Sequence, residues 1–306
     1  MRITNAQINA IMHGSLSNNA AKTGKLMQQM ATGDRIILPS DDPISSVRLL
    51  RIAREESSLA QYQTNIANLS GRLSAAETNL KAASDTILNV RDLLLWAANG
   101  TNDQAALESM AGELASLEET ILSYFNTRDE EGRYLFSGTK SDKPAIVLNA
   151  VGLYVNDDAD PVTGTGNNGT RQVAVANGVL IDDNVTAQAV LGTDVALLNR
   201  LREAVTAMKT GAPDARTRIT DAITALDAGH DTLLMNITEL GGRQNTLTLL
   251  ANSQADTSLV NEKIEGELSR FDYSLGSLEL ANYQMAIQAT QKTYARLTGM
   301  SLFDLL

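Results

Sequence analysis

Leu59, Ile66, Leu73, Leu80, Ile87 and Leu94 stand seven residues apart without a break. Tyr62, Leu69, Ala76, Ala83, Val90 and Ala97 fill the partner positions between them. A strict seven-residue apolar repeat keeps one seam of a helix against one neighbour over many turns, which a period of 3.6 does not do. Residues 44–99 therefore read as one helix, about 80 Å long at 1.5 Å per residue. Ala76, Ala83 and Ala97 let the neighbouring helix approach closely. A neighbouring helix, from this chain or from a second copy, must fill that seam.

Partners are easy to find. After a turn at Gly100-Thr101-Asn102-Asp103, a returning helix carries Leu107, Met110, Leu114, Leu117, Ile121 and Tyr124. Periodicity stops at Thr127, and Gly132-Arg133-Tyr134-Leu135-Phe136-Ser137-Gly138-Thr139 reads as a turn and a short strand. Gly, Asn, Asp, Val and Thr then dominate, with short strands expected at 147–151, 152–155, 172–175 and 179–181. Helical spacing resumes at Asp194 with Val195, Leu198, Leu201 and Val205, and breaks at Gly211-Ala212-Pro213. A three-four seam follows: Ile219, Ile223, Leu226, His230, Leu233, Ile237, Leu240, Gln244, Leu247 and Ala251.

The outer segments are helical but under-satisfied. Residues 1–33 carry Ile3, Ile8, Ile11, Met12, Leu16, Leu26, Met27 and Met30 among small polar residues, with Gly14 and Gly24 inside. Each interior glycine costs about 1 kcal/mol relative to alanine, so this helix needs a partner. Its pattern ends at Gly33. Pro39 and Pro43 bracket Ser40-Asp41-Asp42, a turn that also caps the next helix. Next to a helix start, the paired carboxylates read as a cap interacting with the helix dipole rather than as a metal or acid–base pair.

At the other end, Leu280, Tyr283, Ile287, Thr290, Tyr294 and Leu297 recur every three or four residues. Leu268, Phe271, Leu275, Leu278, Asn282, Met285 and Ala289 form a second stripe, rotated to roughly the opposite side. A helix apolar on two sides needs partners on two sides. An apolar tail follows Gly299: Met300, Ser301, Leu302, Phe303, Asp304, Leu305 and Leu306. Chain ends are usually polar, so this one is expected to be buried in a neighbour.

Composition excludes several classes of function. A net charge of -11 disfavours nucleic acid and anionic membrane as partners. The absence of cysteine removes disulfides, thiolate chemistry and zinc-thiolate sites. Aromatic residues are only 4%, too few for base-stacking platforms. No run of apolar residues is long enough to span a bilayer, and the start lacks a signal-peptide core. His13 and His230 are the only histidines, and His230 lies on an apolar seam with no acid at ligand spacing. Gly164-Thr165-Gly166-Asn167-Asn168-Gly169 lacks the Lys-Ser/Thr of a phosphate loop. Asp157, Asp158 and Asp160 lack calcium-loop spacing. No nucleophile–base–acid set or cofactor fingerprint emerges, so no enzyme, catalytic residue, metal or cofactor is expected.

The expected fold is mainly α with a small β-rich insert: an elongated rod of long antiparallel coiled-coil-like helices, its N- and C-terminal helices paired at one end. The segments are 1–43, 44–139, 140–192 (the insert), 193–266 and 267–306.

Thr32-Gly33-Asp34-Arg35-Ile36 followed by Pro39-Ser40-Asp41-Asp42-Pro43, the segment 132–139 and the ending Gly299-Met300-Ser301-Leu302-Phe303-Asp304-Leu305-Leu306 together resemble the flagellin superfamily of bacterial flagellar axial proteins. Asp34 departs from the pattern, where a basic residue is common. The resemblance implies a structural protein of the flagellum, exported unfolded through the type III apparatus without a cleaved signal and residing outside the cell. It implies a junction adaptor that forms a ring with its own copies on a preceding hook-associated protein and receives flagellin. The assembly interface is expected at Ile8, Met12, Leu16, Leu26, Met30, Leu275, Leu278, Tyr283, Met285, Ile287, Tyr294, Leu297, Leu302 and Phe303. A cytoplasmic export chaperone is expected at Leu275, Leu278 and Met285. The alternatives are flagellin itself, or a coiled-coil scaffold that dimerises through the Leu59–Ala97 seam.

Overall fold

The computed structural model describes residues 5–100, 102–156 and 168–303, with side chains described for residues 7–296 of those spans. In chain order it comprises α1 (Asn5–Thr32), α2 (Pro43–Ala97), α3 (Gln104–Phe125), β1 (Ile146–Leu148), β2 (Tyr154–Asn156), β3 (Gln172–Ala176), β4 (Val179–Asp182), α4 (Ala187–Leu191), α5 (Ala196–Thr210), α6 (Ala215–Ser269) and α7 (Tyr273–Phe303). The fold is mainly α with a small β insert. The chain divides into two units, one of residues 59–255 and one of 1–58 with 256–306. Asp157, Asp158, Asp160 and residues 164–167 of the glycine-rich stretch lie outside the described residues.

In the 59–255 unit, every position of the α2 seam from Ile66 to Ala97 is buried. On α6, Leu226, Leu233, Leu240 and Leu247 are buried seven residues apart. The helices run antiparallel: Gln244 Nε2 donates to Glu77 at 2.8 Å, Ser84 Oγ lies 2.9 Å from His230 Nε2, and Arg91 Nε donates to Asp227 at 2.6 Å. The seam is thus filled by the same chain, which removes the reason for a parallel dimer through Leu59–Ala97. His230 is a half-buried packing residue hydrogen-bonded to Ser84.

Asp103 starts the returning helix by accepting the Ala106 N–H at 2.8 Å. Met110, Leu114, Ile121 and Phe125 of α3 are buried, as are Leu197, Leu198, Leu201, Val205 and Met208 of the neighbouring α5. Val195, which precedes α5, holds φ at 47°, a left-handed conformation costly for a β-branched residue, and its side chain is completely buried.

Among the described residues, the insert contains two antiparallel hairpins. In the first, Ile146, Val147 and Leu148 pair with Asn156, Val155 and Tyr154. The strands expected at 147–151 and 152–155 are shorter in the structure. Asn149 Oδ1 accepts the Val151 and Leu153 N–H groups, closing a turn through residues that the apolar run had assigned to strand. In the second hairpin, Gln172–Ala176 pairs with Val179–Asp182. Helix side chains hold it: Asn65 Nδ2 donates to Ala174 O at 2.8 Å and Gln254 Nε2 to Val175 O at 2.6 Å. Residues 132–139 contain no strand, only an isolated bridge between Arg128 and Tyr134. The Asp129 carboxylate accepts the Glu131 and Arg133 N–H groups and closes a tight loop before a ladder forms. The short α4, capped by Thr186, was not anticipated.

In the other unit, Gly33 ends α1 at φ 79°, a conformation open to glycine at little cost. Asp42 caps α2, its Oδ1 accepting the Ser45 N–H at 3.1 Å. Asp34 bridges to Arg270. The stripe from Leu268 to Leu297 is not one helix. The chain breaks at 270–272, where Asp272 caps α7 by accepting the Ser274 and Leu275 N–H groups at 2.8 and 3.1 Å.

Candidate assembly surface

The residues singled out for assembly fall on α1 and α7, within one unit. The two helices pack antiparallel. Tyr273 Oη donates to Met30 O at 3.1 Å, Lys22 Nζ lies 5.8 Å from the Tyr283 ring centroid, and the His13 and Tyr294 rings meet edge-on at 5.8 Å. On α1, Ile8, Met12, Leu16 and Met30 are half-buried and Leu26 is 4% exposed. At about 100° per residue these five positions fall within an arc of about 80°, one face of the helix. On α7, Leu280, Tyr283, Ile287, Thr290 and Tyr294 are likewise half-buried. Gly276 is buried because the Phe271 ring occupies the space a Cβ would need.

The second stripe is treated differently. Leu275, Leu278 and Met285 are 62%, 60% and 60% exposed. The structure therefore separates two sets that the sequence had given one role. Ile8, Met12, Leu16, Leu26, Met30, Tyr283, Ile287 and Tyr294 are buried or half-buried on the two helices that pack on each other. Leu275, Leu278 and Met285 stand on the open side of α7. Leu297, Leu302 and Phe303 have side chains outside the described residues. Burying each open side chain in a partner is worth about 1.5–3 kcal/mol.

Sequence reasoning missed further exposed apolar residues in this unit: Leu38, Ile44, Val47 and Leu50 near the start of α2, and Leu259 and Val260 on α6. A signal was present, since Ile44, Val47 and Leu50 recur every three residues before the seven-residue seam begins. Large contiguous apolar patches mark interaction sites, and these residues share their unit with Leu275, Leu278 and Met285.

Charge organises the turn between α1 and α2. Lys25 Nζ donates to Asp41 at 2.5 Å, and Asp41 Oδ2 accepts the Ile37 and Leu38 N–H groups. The Lys25 bond, with these backbone donors, holds the Asp41 carboxyl below its ordinary range. The Ser45 hydroxyl and N–H, with Arg35, do the same for Asp42. Neither carboxylate is arranged for proton transfer or metal binding; both fasten backbone.

Residues 3–141 match the family model of the bacterial flagellin N-terminal helical region. Flagellar hook-associated protein 3 of Escherichia coli strain K12 is 28% identical over 302 residues, 95% of each chain. A solved structure described as a flagellar hook-associated protein from Vibrio parahaemolyticus is 38% identical, with a TM-score of 0.68 over 75% of this chain and 100% of that one. The flagellar junction protein FlgL from Legionella pneumophila shares the fold at 15% identity and a TM-score of 0.58, over 73% of this chain and 100% of that one. Together these likenesses show that the chain belongs to the flagellar hook-associated proteins, with a flagellin-type N-terminal helical region.

Proposed function

We infer that this chain is a structural protein of the bacterial flagellum, acting at the hook–filament junction. It assembles with copies of itself, as a ring, on a preceding hook-associated protein and presents a surface on which flagellin polymerises. Segments 1–43 and 267–306 form the axial core of that assembly. The observation that carries this reading is the division of α7: one side packs on α1, while Leu275, Leu278 and Met285 stand open on the other. A monomer gains nothing by exposing that stripe, whereas an assembly buries it. The work is structural, not enzymatic, as it is for the relatives.

The protein acts outside the cell and leaves it through the flagellar type III apparatus without a cleaved signal. Before export, a cytoplasmic chaperone covers Leu275, Leu278 and Met285 by taking the amphipathic helix into an apolar groove. Chaperone binding undiminished by deletion of residues 270–306 would overturn that part. The junction role is tested in cells whose own copy is deleted. Such cells should bear hooks without filaments, and this chain should restore them. Purified, it should remain monomeric or form limited rings. Long filaments of the chain alone would assign it to flagellin instead.

A further inference from the structure

Four helix ends meet where α1 stops, α2 starts, α6 stops and α7 starts, all within one unit. Two backbone bonds cross the gap: Arg35 N–H to Ser269 O at 2.6 Å and Phe271 N–H to Gly33 O at 2.9 Å. One guanidinium sits at the crossing. Arg35 Nη2 and Nε donate to Leu268 O at 3.0 and 3.2 Å, Nη1 and Nη2 to Asp42 Oδ2 at 3.2 Å each, and Nη2 lies 3.4 Å from Ser45 Oγ. The Arg35 carbonyl accepts from Gln29 Nε2 on α1 at 2.5 Å.

We propose that Arg35 is a positioning residue that pins this joint, fixing the α1–α7 pair to the ends of α2 and α6 that it adjoins. Leu268 O is among the last four carbonyls of α6, which have no partner within the helix and carry the negative end of its dipole. Asp42 is the carboxylate that caps the start of α2. A cation between them satisfies the orphan carbonyl and the remaining lone pairs of the cap together. Only a planar fork of donors reaches both; a lysine ammonium, a compact point charge, serves one or the other. Among the described residues, Arg35 is the cation bonded to both Asp42 and Leu268.

Hydrogen exchange on the full-length chain tests it, comparing the parent with Arg35→Ala, Arg35→Lys and Asp42→Asn. In Arg35→Ala the Arg35-position and Phe271 amides should exchange about 10-fold faster, a modest change because the guanidinium is half exposed. The Leu80 and Leu233 amides of the buried seam should not change. Arg35→Lys should recover less than half of the protection. Asp42→Asn, which keeps a good cap, should loosen the joint while leaving the Ser45 amide as in the parent. The Asp42 carboxyl should titrate higher in Arg35→Ala, a shift that loss of packing alone does not cause. Exchange in Arg35→Ala within two-fold of the parent overturns the proposal. So does full rescue by lysine, equal acceleration of the seam amides, or a parent in which the Arg35 and Phe271 amides are already unprotected.

Discussion

Leu233 and Leu234 are neighbours of identical chemistry on α6, yet the first is 0% and the second 43% exposed. Truncating each to alanine isolates what the seven-residue seam contributes. Leu233→Ala removes buried carbon worth about 0.8 kcal/mol per methylene-sized group and leaves a cavity between α6 and its packed neighbours. Measured leucine-to-alanine losses in cores of this kind run from about 2.7 to 5 kcal/mol. Leu234→Ala removes a side chain already in contact with water and should cost no more than about 1 kcal/mol. For a cooperative unit of this size, each kcal/mol lowers the melting temperature by about 2–4 °C. The buried variant should therefore melt roughly 5–20 °C lower and the exposed one within about 4 °C of the parent. The assay is thermal and urea unfolding followed by the helical circular dichroism signal, with the three proteins compared at equal concentration. Equal losses in the two variants, or a loss below about 1 kcal/mol at Leu233, would refute the antiparallel seam.

Three further outcomes follow from local geometry. Gly276→Ala should destabilise the α6–α7 corner, although alanine is the better helix former by about 1 kcal/mol, because the new Cβ collides with the Phe271 ring; thermal unfolding of a stabilised variant would contradict this. Asp41 and Asp42 have depressed carboxyl pKa values, so their stabilisation of the α1–α2 turn is present above the unfolded value of about 3.9 and lost as pH falls through the lower folded values. Carboxyl titration by NMR should show Lys25→Met raising the Asp41 midpoint and leaving that of Asp42 in place. Burial and the bond that the Tyr154 hydroxyl donates to Glu118 at 2.7 Å push the Tyr154 pKa up to about 12. Its contribution is complete below the unfolded tyrosine value of about 10 and disappears as pH rises through the folded one. Ultraviolet titration should thus show one late component among the tyrosines, absent in Tyr154→Phe.

The long seam was legible because seven-residue periodicity reports its own partner: a stripe that never rotates away must face another helix throughout. The Asp42 cap was legible because proline at the first helical position and an acid before it have one physical use. The break at 270–272 was hidden because Leu268, Phe271, Leu275 and Leu278 keep three-four spacing across it. Periodicity cannot register a corner whose two sides stay in phase. Asp272 before Tyr273-Ser274-Leu275 was the available sign of a new helix start. At the candidate surface, both stripes of α7 could be read, but not which one its own α1 would occupy. That choice depends on Met30, Lys22 and His13 lying level with Tyr273, Tyr283 and Tyr294, an alignment set by a turn more than two hundred residues away in sequence. Glu118 was invisible for a similar reason. It lies in a polar run beside Glu119, and only the arrival of Tyr154 and Arg202 makes it a buried carboxyl with a raised pKa, burial being the larger cause.

The central claim is that the open side of α7 is an assembly surface. Purified parent chain and the triple variant Leu275→Gln, Leu278→Gln, Met285→Gln would be added to isolated hooks bearing the preceding hook-associated protein, and co-sedimentation measured. Glutamine matches leucine and methionine in helix propensity, so the helical signal should be unchanged. Adding purified protein also bypasses export. With about 1.5–3 kcal/mol at stake per side chain, the variant should bind at least about ten-fold more weakly than the parent. Co-sedimentation of the variant at the parent's level would contradict the account.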